Sequence, residues 1–114
     1  MSSSPRNSDP KRFNVYVIGL ARDVLNERRF VEANPQFNLR KPCVYVGMTG
    51  LTPSERFLRH RSGIQACRFV RLYGECLKPR LYRRFNPMTY VEAQAMEREL
   101  ARRLRNRGYA VWQK

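Results

Sequence analysis

The segment that most constrains the fold is residues 43–61, CVYVGMTGLTPSERFLRHR, where an apolar strand pattern runs through a glycine turn into a basic helix pattern. Val44 and Val46 alternate with Tyr45 and Gly47, which is the period of a half-buried strand. The chain is therefore expected to place one strand and one helix side by side, with a tyrosine on the face of the strand opposite the valines.

The helix in this segment has a clear start signal. Thr52 and Glu55 form a capping box around Pro53, which suits the first helical position. Arg56 and His60 follow one turn apart, so they share one face of the helix. An arginine and a histidine are thus predicted to lie close to the end of the strand.

Charge is the strongest signal in the composition. The 114 residues carry a formal net charge of +14, from 23 basic and 9 acidic side chains. Such a surface favours a polyanionic partner, and DNA is the first expectation, with RNA as the alternative. The length suits one domain, predicted at residues 12–114 after a disordered basic arm at residues 1–11.

Several classes of protein are disfavoured by the sequence. It contains no apolar run long enough to span a bilayer, and its first residues lack the apolar core of a signal peptide, so a cytoplasmic protein without a membrane partner is expected. Cys43, Cys67 and Cys76 have no metal-binding spacing, and packing in a reducing compartment is the expected role for all three. The oligomeric state is not indicated.

Other elements are predicted from the periodicity of apolar residues and from the residues that typically end helices and strands. Strands are predicted at residues 13–19, 43–48, 79–85 and 109–112. Helices are predicted at residues 23–33 and 64–73, the first inside an insertion at about residues 20–42. If the first two strands pair in register, Tyr16 and Tyr45 lie on one side of the sheet.

The longest helix carries an unusual glutamate. Thr89 and Glu92 form a second capping box, and the helix is expected to run to about Asn106. Glu97 falls in the middle of its apolar stripe, among Ala93, Leu100, Ala101 and Leu104. A buried carboxylate needs a partner or a bound cation, so a structural ion pair and a functional role are both open from this helix alone.

These motifs together resemble the GIY-YIG endonuclease superfamily, over residues 13–109. Residues 14–16, NVY, are similar to its GIY element, and residues 45–47, YVG, to its YIG element. The resemblance implies an α/β (α+β) fold, with a three-stranded, mainly antiparallel sheet flanked by helices and interrupted here by the helical insertion.

The resemblance also implies a set of catalytic residues. Arg56 matches the family's helix arginine and would hold the scissile phosphate through its planar fork of donors. Tyr45, helped by His60 or Tyr16, would position or deprotonate the attacking water. Glu97 matches the family's metal-binding glutamate and would hold Mg²⁺ or Mn²⁺. The implied function is metal-dependent endonucleolytic hydrolysis of phosphodiester bonds in DNA.

Basic side chains on the two main helices are predicted to contact phosphates rather than bases, although a solvated helix face has the same pattern. They are Arg59, Arg61, Arg98, Arg102, Arg103 and Arg105.

Two alternatives to a DNA nuclease stay open. A non-catalytic nucleic-acid-binding module with the same fold is favoured by three departures from the family pattern: Asn14 replaces the first glycine of GIY, Met48 stands where a polar side chain is common, and the last helix is not followed by asparagine. A protein directed at RNA would need aromatic side chains that stack on single-stranded bases. The candidates are Tyr73, Tyr82, Tyr90 and Trp112.

Overall fold

A mixed sheet of four strands organises the molecule. The computed structural model describes residues 10–113, so most of the arm expected at residues 1–11 lies outside the described residues. The strands are β1 (Asn14–Leu20), β2 (Cys43–Thr49), β3 (Gly74–Leu77) and β4 (Ala110–Gln113). The α-helices are α1 (Arg28–Glu32), α2 (Pro53–Arg61), α3 (Arg68–Tyr73) and α4 (Tyr90–Asn106). The fold is of the expected α+β class.

The strand order is β3-β1-β2-β4. β1 pairs antiparallel with both β2 and β3, whereas β4 pairs parallel to β2 at the opposite edge. In the central pair, Tyr16 faces Gly47 and Ile18 faces Tyr45. The sheet is mainly antiparallel as expected, but it has four strands rather than three, because the C-terminal strand adds to its edge.

The two central strands are buried on both faces. All of residues 43–47 are buried, and so are residues 15–20 of β1. Since successive side chains of a strand point to opposite faces, this burial shows that both faces are covered. The expectation of a half-buried strand at residues 43–48 is therefore wrong, and the tyrosine face is part of the core as much as the valine face.

The strand predicted at residues 79–85 is absent. Two 3-10 helices, Pro79–Leu81 and Arg83–Phe85, occupy this segment, and the strand that pairs with β1 is the preceding segment, β3. The side-chain amide of Asn86 takes the place of a strand beside β1: its Oδ1 accepts the Val15 N–H at 2.9 Å, and its Nδ2 donates to the Val15 carbonyl at 2.8 Å. A side chain thus satisfies backbone groups at the open edge of β1.

The insertion between β1 and β2 is anchored to the last strand. The helix predicted at residues 23–33 is divided into a 3-10 helix, Arg22–Asn26, and α1, because Glu27 between them is extended. Phe30 is fully buried and its ring contacts those of Phe69 and Trp112. Buried Asn34 accepts the Val111 N–H at 2.8 Å and donates to the Phe30 carbonyl at 2.8 Å.

The capping signals locate the two main helices correctly. Both predicted capping boxes are formed, by Thr52 with Glu55 and by Thr89 with Glu92. The helix expected at residues 64–73 is shorter and begins at Arg68, after a run of turns. Within residues 10–113, no helix combines the length and apolar character needed to cross a membrane.

The cysteines are free and differ in burial. Cys43 is buried and Cys67 half-buried, whereas Cys76 on the edge strand β3 is exposed. The expected packing role is therefore wrong for Cys76. No group of three or more histidine, cysteine or acidic side chains that could hold a metal is present within residues 10–113.

Candidate functional site

A cleft of about 340 Å³ lies beside the central strand pair, and we call it the tyrosine cleft. Its lining residues are Phe13, Tyr16, Tyr45, Met48, Thr49, Gly50, Arg56, Tyr90, Gln94 and Glu97. The cleft therefore brings together four of the five residues predicted to be catalytic. The fifth, His60, lies beneath the tyrosines and does not line it.

The two tyrosines meet because of the strand register. Tyr16 lies opposite Gly47, which is two residues from Tyr45, so the tyrosines are diagonal neighbours on one face of the sheet. Their ring centroids are 6.1 Å apart. A Cβ on Gly47 would lie 2.6 Å from the Tyr16 hydroxyl oxygen and 2.9 Å from Cε2 of Tyr45. Glycine is required here so that both rings can occupy this face.

His60 supports Tyr16 from below. The imidazole is fully buried, and its Nε2 lies 2.9 Å from the Tyr16 hydroxyl oxygen. Its Nδ1 accepts the backbone N–H of Cys67 at 3.3 Å. The direction of the hydrogen bond between Tyr16 and His60 depends on the tautomer of the imidazole. His60 fixes the orientation of Tyr16, whose hydroxyl group also forms hydrogen bonds with Arg56 and Tyr45.

Both tyrosines are held in the neutral form. Burial is the main cause that raises the pKa of Tyr16 to about 12, and the Arg56 guanidinium opposes this increase. The pKa of Tyr45 is also raised, first by burial and then by the neighbouring Tyr16, Cys67 and Glu97. At neutral pH these hydroxyls donate and accept hydrogen bonds, but they are weak acids that resist ionisation.

Arg56 is half-buried at the boundary between the cleft and the turn after α2. Its Nη1 donates to the Ile64 carbonyl at 3.2 Å, and its Nη2 donates to the Gln65 carbonyl at 2.8 Å. A guanidinium has five N–H donors, so this anchoring leaves donors for a ligand. The arrangement fixes the direction of the positive charge beside Tyr16.

Glu97 lies on α4, and only 8% of its surface is exposed. Its position in the apolar stripe is as predicted, since Ala93, Leu100, Ala101 and Leu104 are buried on the same helix. One carboxylate in a cleft with room for solvent suits Mg²⁺ or Mn²⁺, because Mg²⁺ keeps several waters and often takes only one or two protein carboxylates together with substrate phosphates. The donor set does not suit zinc, which needs three or four protein ligands.

The arginines predicted to contact phosphates are in different environments. Arg59, Arg61 and Arg98 are exposed. Arg102 is exposed but binds Glu99 through two hydrogen bonds, of 3.0 and 2.6 Å. Arg105 is half-buried and donates to the Val111 carbonyl at 3.1 Å, and burial lowers its pKa. Arg105 therefore has a structural contact with β4, whereas the first three are open to a ligand.

Sequence reasoning missed a second basic region. A small cleft of about 100 Å³, the arginine cleft, lies between the 3-10 helices and the C-terminal half of α4. It is lined by Arg80, Leu81, Arg84, Phe85, Leu100, Arg103, Leu104 and Arg107. The sequence does carry a signal, because Arg80 and Arg84 are spaced by four residues, and so are Arg103 and Arg107. A spacing of four residues brings side chains together on a helix, but a strand was expected at residues 79–85.

Two of the departures from the family pattern have structural roles. The Asn14 side chain donates to the Leu51 carbonyl at 2.9 Å, which ties the start of β1 to the turn after β2. Met48 lines the tyrosine cleft. Of the aromatic candidates for stacking, Tyr90 is 51% exposed beside this cleft, whereas Tyr82 is buried. The ring of Tyr90 thus offers the most accessible aromatic surface near the site.

Comparisons with protein-family models, with curated proteins and with solved structures found no match for this chain. The resemblance to the GIY-YIG endonucleases thus rests on the order of the sequence motifs.

Proposed function

We propose that the protein is a divalent-metal-dependent endonuclease that hydrolyses phosphodiester bonds in DNA, with a GIY-YIG-type active site in the tyrosine cleft. The observation that carries the proposal is the meeting of one carboxylate, one anchored arginine and two neutral tyrosines, from four separate elements, in one cleft. A cleft that gathers titratable side chains with shifted pKa values is a candidate functional site on physical grounds.

Arg56 is proposed to bind the scissile phosphate. Its guanidinium is half-buried and held from behind by two backbone carbonyls, so it loses little side-chain freedom when a phosphate binds. Charge that develops on the phosphate oxygens during hydrolysis would be stabilised by this fixed cation. The net charge of +14 would draw the DNA backbone towards the cleft.

The tyrosines are proposed to orient the attacking water. Because burial raises the pKa of both hydroxyls, a role as hydrogen-bond partners is favoured over one as strong bases in the free protein. His60 is a positioning residue in this scheme, because its Nε2 lies 2.9 Å from the Tyr16 hydroxyl oxygen and holds that hydroxyl in place. Tyr16, held in this orientation, would orient the water in the cleft through a hydrogen bond.

Glu97 is proposed to hold Mg²⁺ or Mn²⁺ together with an oxygen of the bound phosphate. The metal would supply positive charge that stabilises the leaving oxygen. With a single carboxylate, affinity for the ion in the absence of DNA is expected to be weak. The carboxylate is fixed by its place on a buried helix face, which limits its movement during the reaction.

A second candidate function is a nucleic-acid-binding protein without catalysis. The arginine cleft favours it, since that cleft shares no residue with the tyrosine cleft and could bind phosphates without Glu97 or a metal. Such binding would weaken as salt is raised, because counterions compete for the phosphates.

Cleavage of supercoiled plasmid DNA tests the proposal. The wild-type protein is incubated with Mg²⁺ or Mn²⁺, with EDTA, and beside the variant Glu97→Gln, which keeps the shape of the side chain but removes its charge. Glu75→Gln is the matched control, since Glu75 is exposed on the edge strand β3. We expect nicking that requires metal and falls about 10²- to 10³-fold in Glu97→Gln only.

Two results would contradict the nuclease. One is cleavage by Glu97→Gln at the wild-type rate. The other is no cleavage of supercoiled, linear or single-stranded DNA with either metal, while the protein still shifts DNA in a salt-dependent manner; that result would select the binding protein.

A further inference from the structure

A second pocket opens directly beside the tyrosine cleft and shares two of its walls. This side pocket has a volume of about 190 Å³. It is lined by Tyr45, Arg56, Gln65, Ala66, Cys67 and Trp112. Since Tyr45 and Arg56 also line the tyrosine cleft, a group in the side pocket would be the immediate neighbour of a phosphate held by Arg56.

The walls of the side pocket suit a flat, polar-edged ring. Tyr45 and Trp112 are partners in the parallel β2–β4 pairing, so their side chains are on one face of the sheet. Trp112 is half-buried and can stack on a nucleobase, whereas Tyr45 is only 2% exposed and closes the pocket. An amide offers both a donor and an acceptor to a base edge. Exposed Gln65 supplies such an amide at the rim.

The backbone at the rim has an uncommon conformation. Gln65 has a φ of 48°, in the left-handed region that non-glycine residues seldom adopt. Its carbonyl accepts the Nη2 hydrogen bond of Arg56 at 2.8 Å. A strained residue of this kind is held in place by its surroundings and is often found at ligand sites. Arg56 therefore joins the phosphate position to the rim of the side pocket.

We infer that the side pocket receives an unpaired nucleobase of the DNA strand whose phosphate lies in the tyrosine cleft. The inference rests on the proposed function for the position of that strand. A base inside a double helix is stacked and paired, and taking it out costs a few kcal/mol, whereas an unpaired base can enter at little cost. The substrate class is thus DNA with a base outside the duplex, as in single strands, flaps, bulges and mismatches.

Fluorescence of Trp112 tests the inference without any cleavage. It is the single tryptophan of the chain, so all tryptophan emission comes from a side chain that lines the side pocket. The Glu97→Gln variant in EDTA is titrated with a short single-stranded oligonucleotide, and then with an abasic oligonucleotide of the same length and charge. Binding of each is followed in parallel by anisotropy of a dye on the DNA. We expect the base-bearing strand to quench Trp112 and the abasic strand to leave its emission unchanged.

A variant of the rim sharpens the test. Gln65→Gly removes the amide but accepts the left-handed backbone and keeps the carbonyl that Arg56 binds. Affinity for the base-bearing strand should fall about tenfold, as for the removal of one base interaction. Asn106→Ala is the matched control, because it removes an exposed amide at the end of α4.

Three results would overturn the inference. They are equal quenching by both oligonucleotides, binding of the base-bearing strand without a change in Trp112 emission, and no binding of single strands. None of them depends on plasmid cleavage, so the nuclease proposal would stand or fall separately. Base-dependent quenching in a protein that cuts no DNA would assign the side pocket to a binding protein instead.

Discussion

The tyrosine cleft and the arginine cleft lie along the same helix, α4, but they are built differently. The first holds one carboxylate and one arginine between neutral hydroxyls, with Gly47 and His60 fixing the rings. The second holds four arginines beside apolar side chains, and of these Arg103 binds Glu99 at 2.8 Å. The tyrosine cleft holds individual functional groups in fixed positions, whereas the arginine cleft concentrates positive charge. Small changes of shape should therefore damage the first, and only changes of charge should affect the second.

Among the changes that compare the two clefts, the largest effect is expected from Gly47→Ala. The added Cβ would lie 2.6 Å from the Tyr16 hydroxyl oxygen, so the ring must move. Misplacement of a reacting group by about 1 Å can cost 10²-fold in rate, and overpacking costs about 1–3 kcal/mol of stability. Cleavage rate and urea unfolding measure the two effects.

Gly19→Ala is the matched control for this change, since Gly19 is also a strand glycine but the tightest approach of its added Cβ would be to the flexible end of Lys78. If both variants lose activity equally, the loss does not depend on the shape of the tyrosine cleft, and the contrast between the two clefts fails.

Arg56→Lys should lower the cleavage rate about 10- to 100-fold while DNA binding changes little, because lysine keeps the charge but lacks the fork that binds two carbonyls and a phosphate together. The rate at saturating DNA and the dissociation constant separate these effects. A matching change in the arginine cleft, Arg84→Lys, should leave both values near wild type. Equal losses in the two variants would show that Arg56 acts through its charge alone.

Alkaline pH should weaken the fold through the tyrosine cleft. Burial raises the pKa of Tyr16 from 10.0 to about 12, so the folded state binds this proton more tightly than the unfolded chain does. The contribution is complete below pH 10 and is lost as the pH rises through about 12, a decrease of roughly 2–3 kcal/mol. Urea unfolding across this range measures it. Tyr16→Phe should make the decline shallower, and an equally steep decline would contradict the assignment.

The smallest effect is expected in the arginine cleft. Arg84→Gln combined with Arg107→Gln should weaken DNA binding and lower the slope of log affinity against log salt by about 1 for each phosphate that the variant no longer binds. Cleavage at saturating DNA should not change, because neither residue lines the tyrosine cleft. Arg28→Gln is the control, since Arg28 is exposed and pairs with Glu32. A slope that does not change would remove this cleft from the DNA interface.

Much of the candidate site could be predicted because its signals are local. Capping boxes at Thr52 and Thr89 locate the two helices, and strand alternation places Tyr16 and Tyr45 on one face. The helical period then places Glu97 on the buried stripe of α4.

The missed features depend on contacts between distant residues. The amide of Asn86 completes the edge of β1 across 71 residues of sequence, which removes the need for a strand at residues 79–85. The buried position of His60 was missed as well: its spacing from Arg56 gives a helix face, but only the fold shows that Tyr16 covers it. No local pattern reports either contact.

The hydrogen bonds of Asn34 have a consequence for the attachment of β4. β4 is the last strand of the described chain, and its Val111 N–H is held by a side chain from the segment between β1 and β2. The same segment packs Phe30 against Trp112. Residues 20–42 therefore supply side-chain contacts that hold β4 at the edge of the sheet. Shortening them to a tight hairpin would leave β4 paired with β2 but would remove the support that Phe30 gives to Trp112, the aromatic wall of the side pocket.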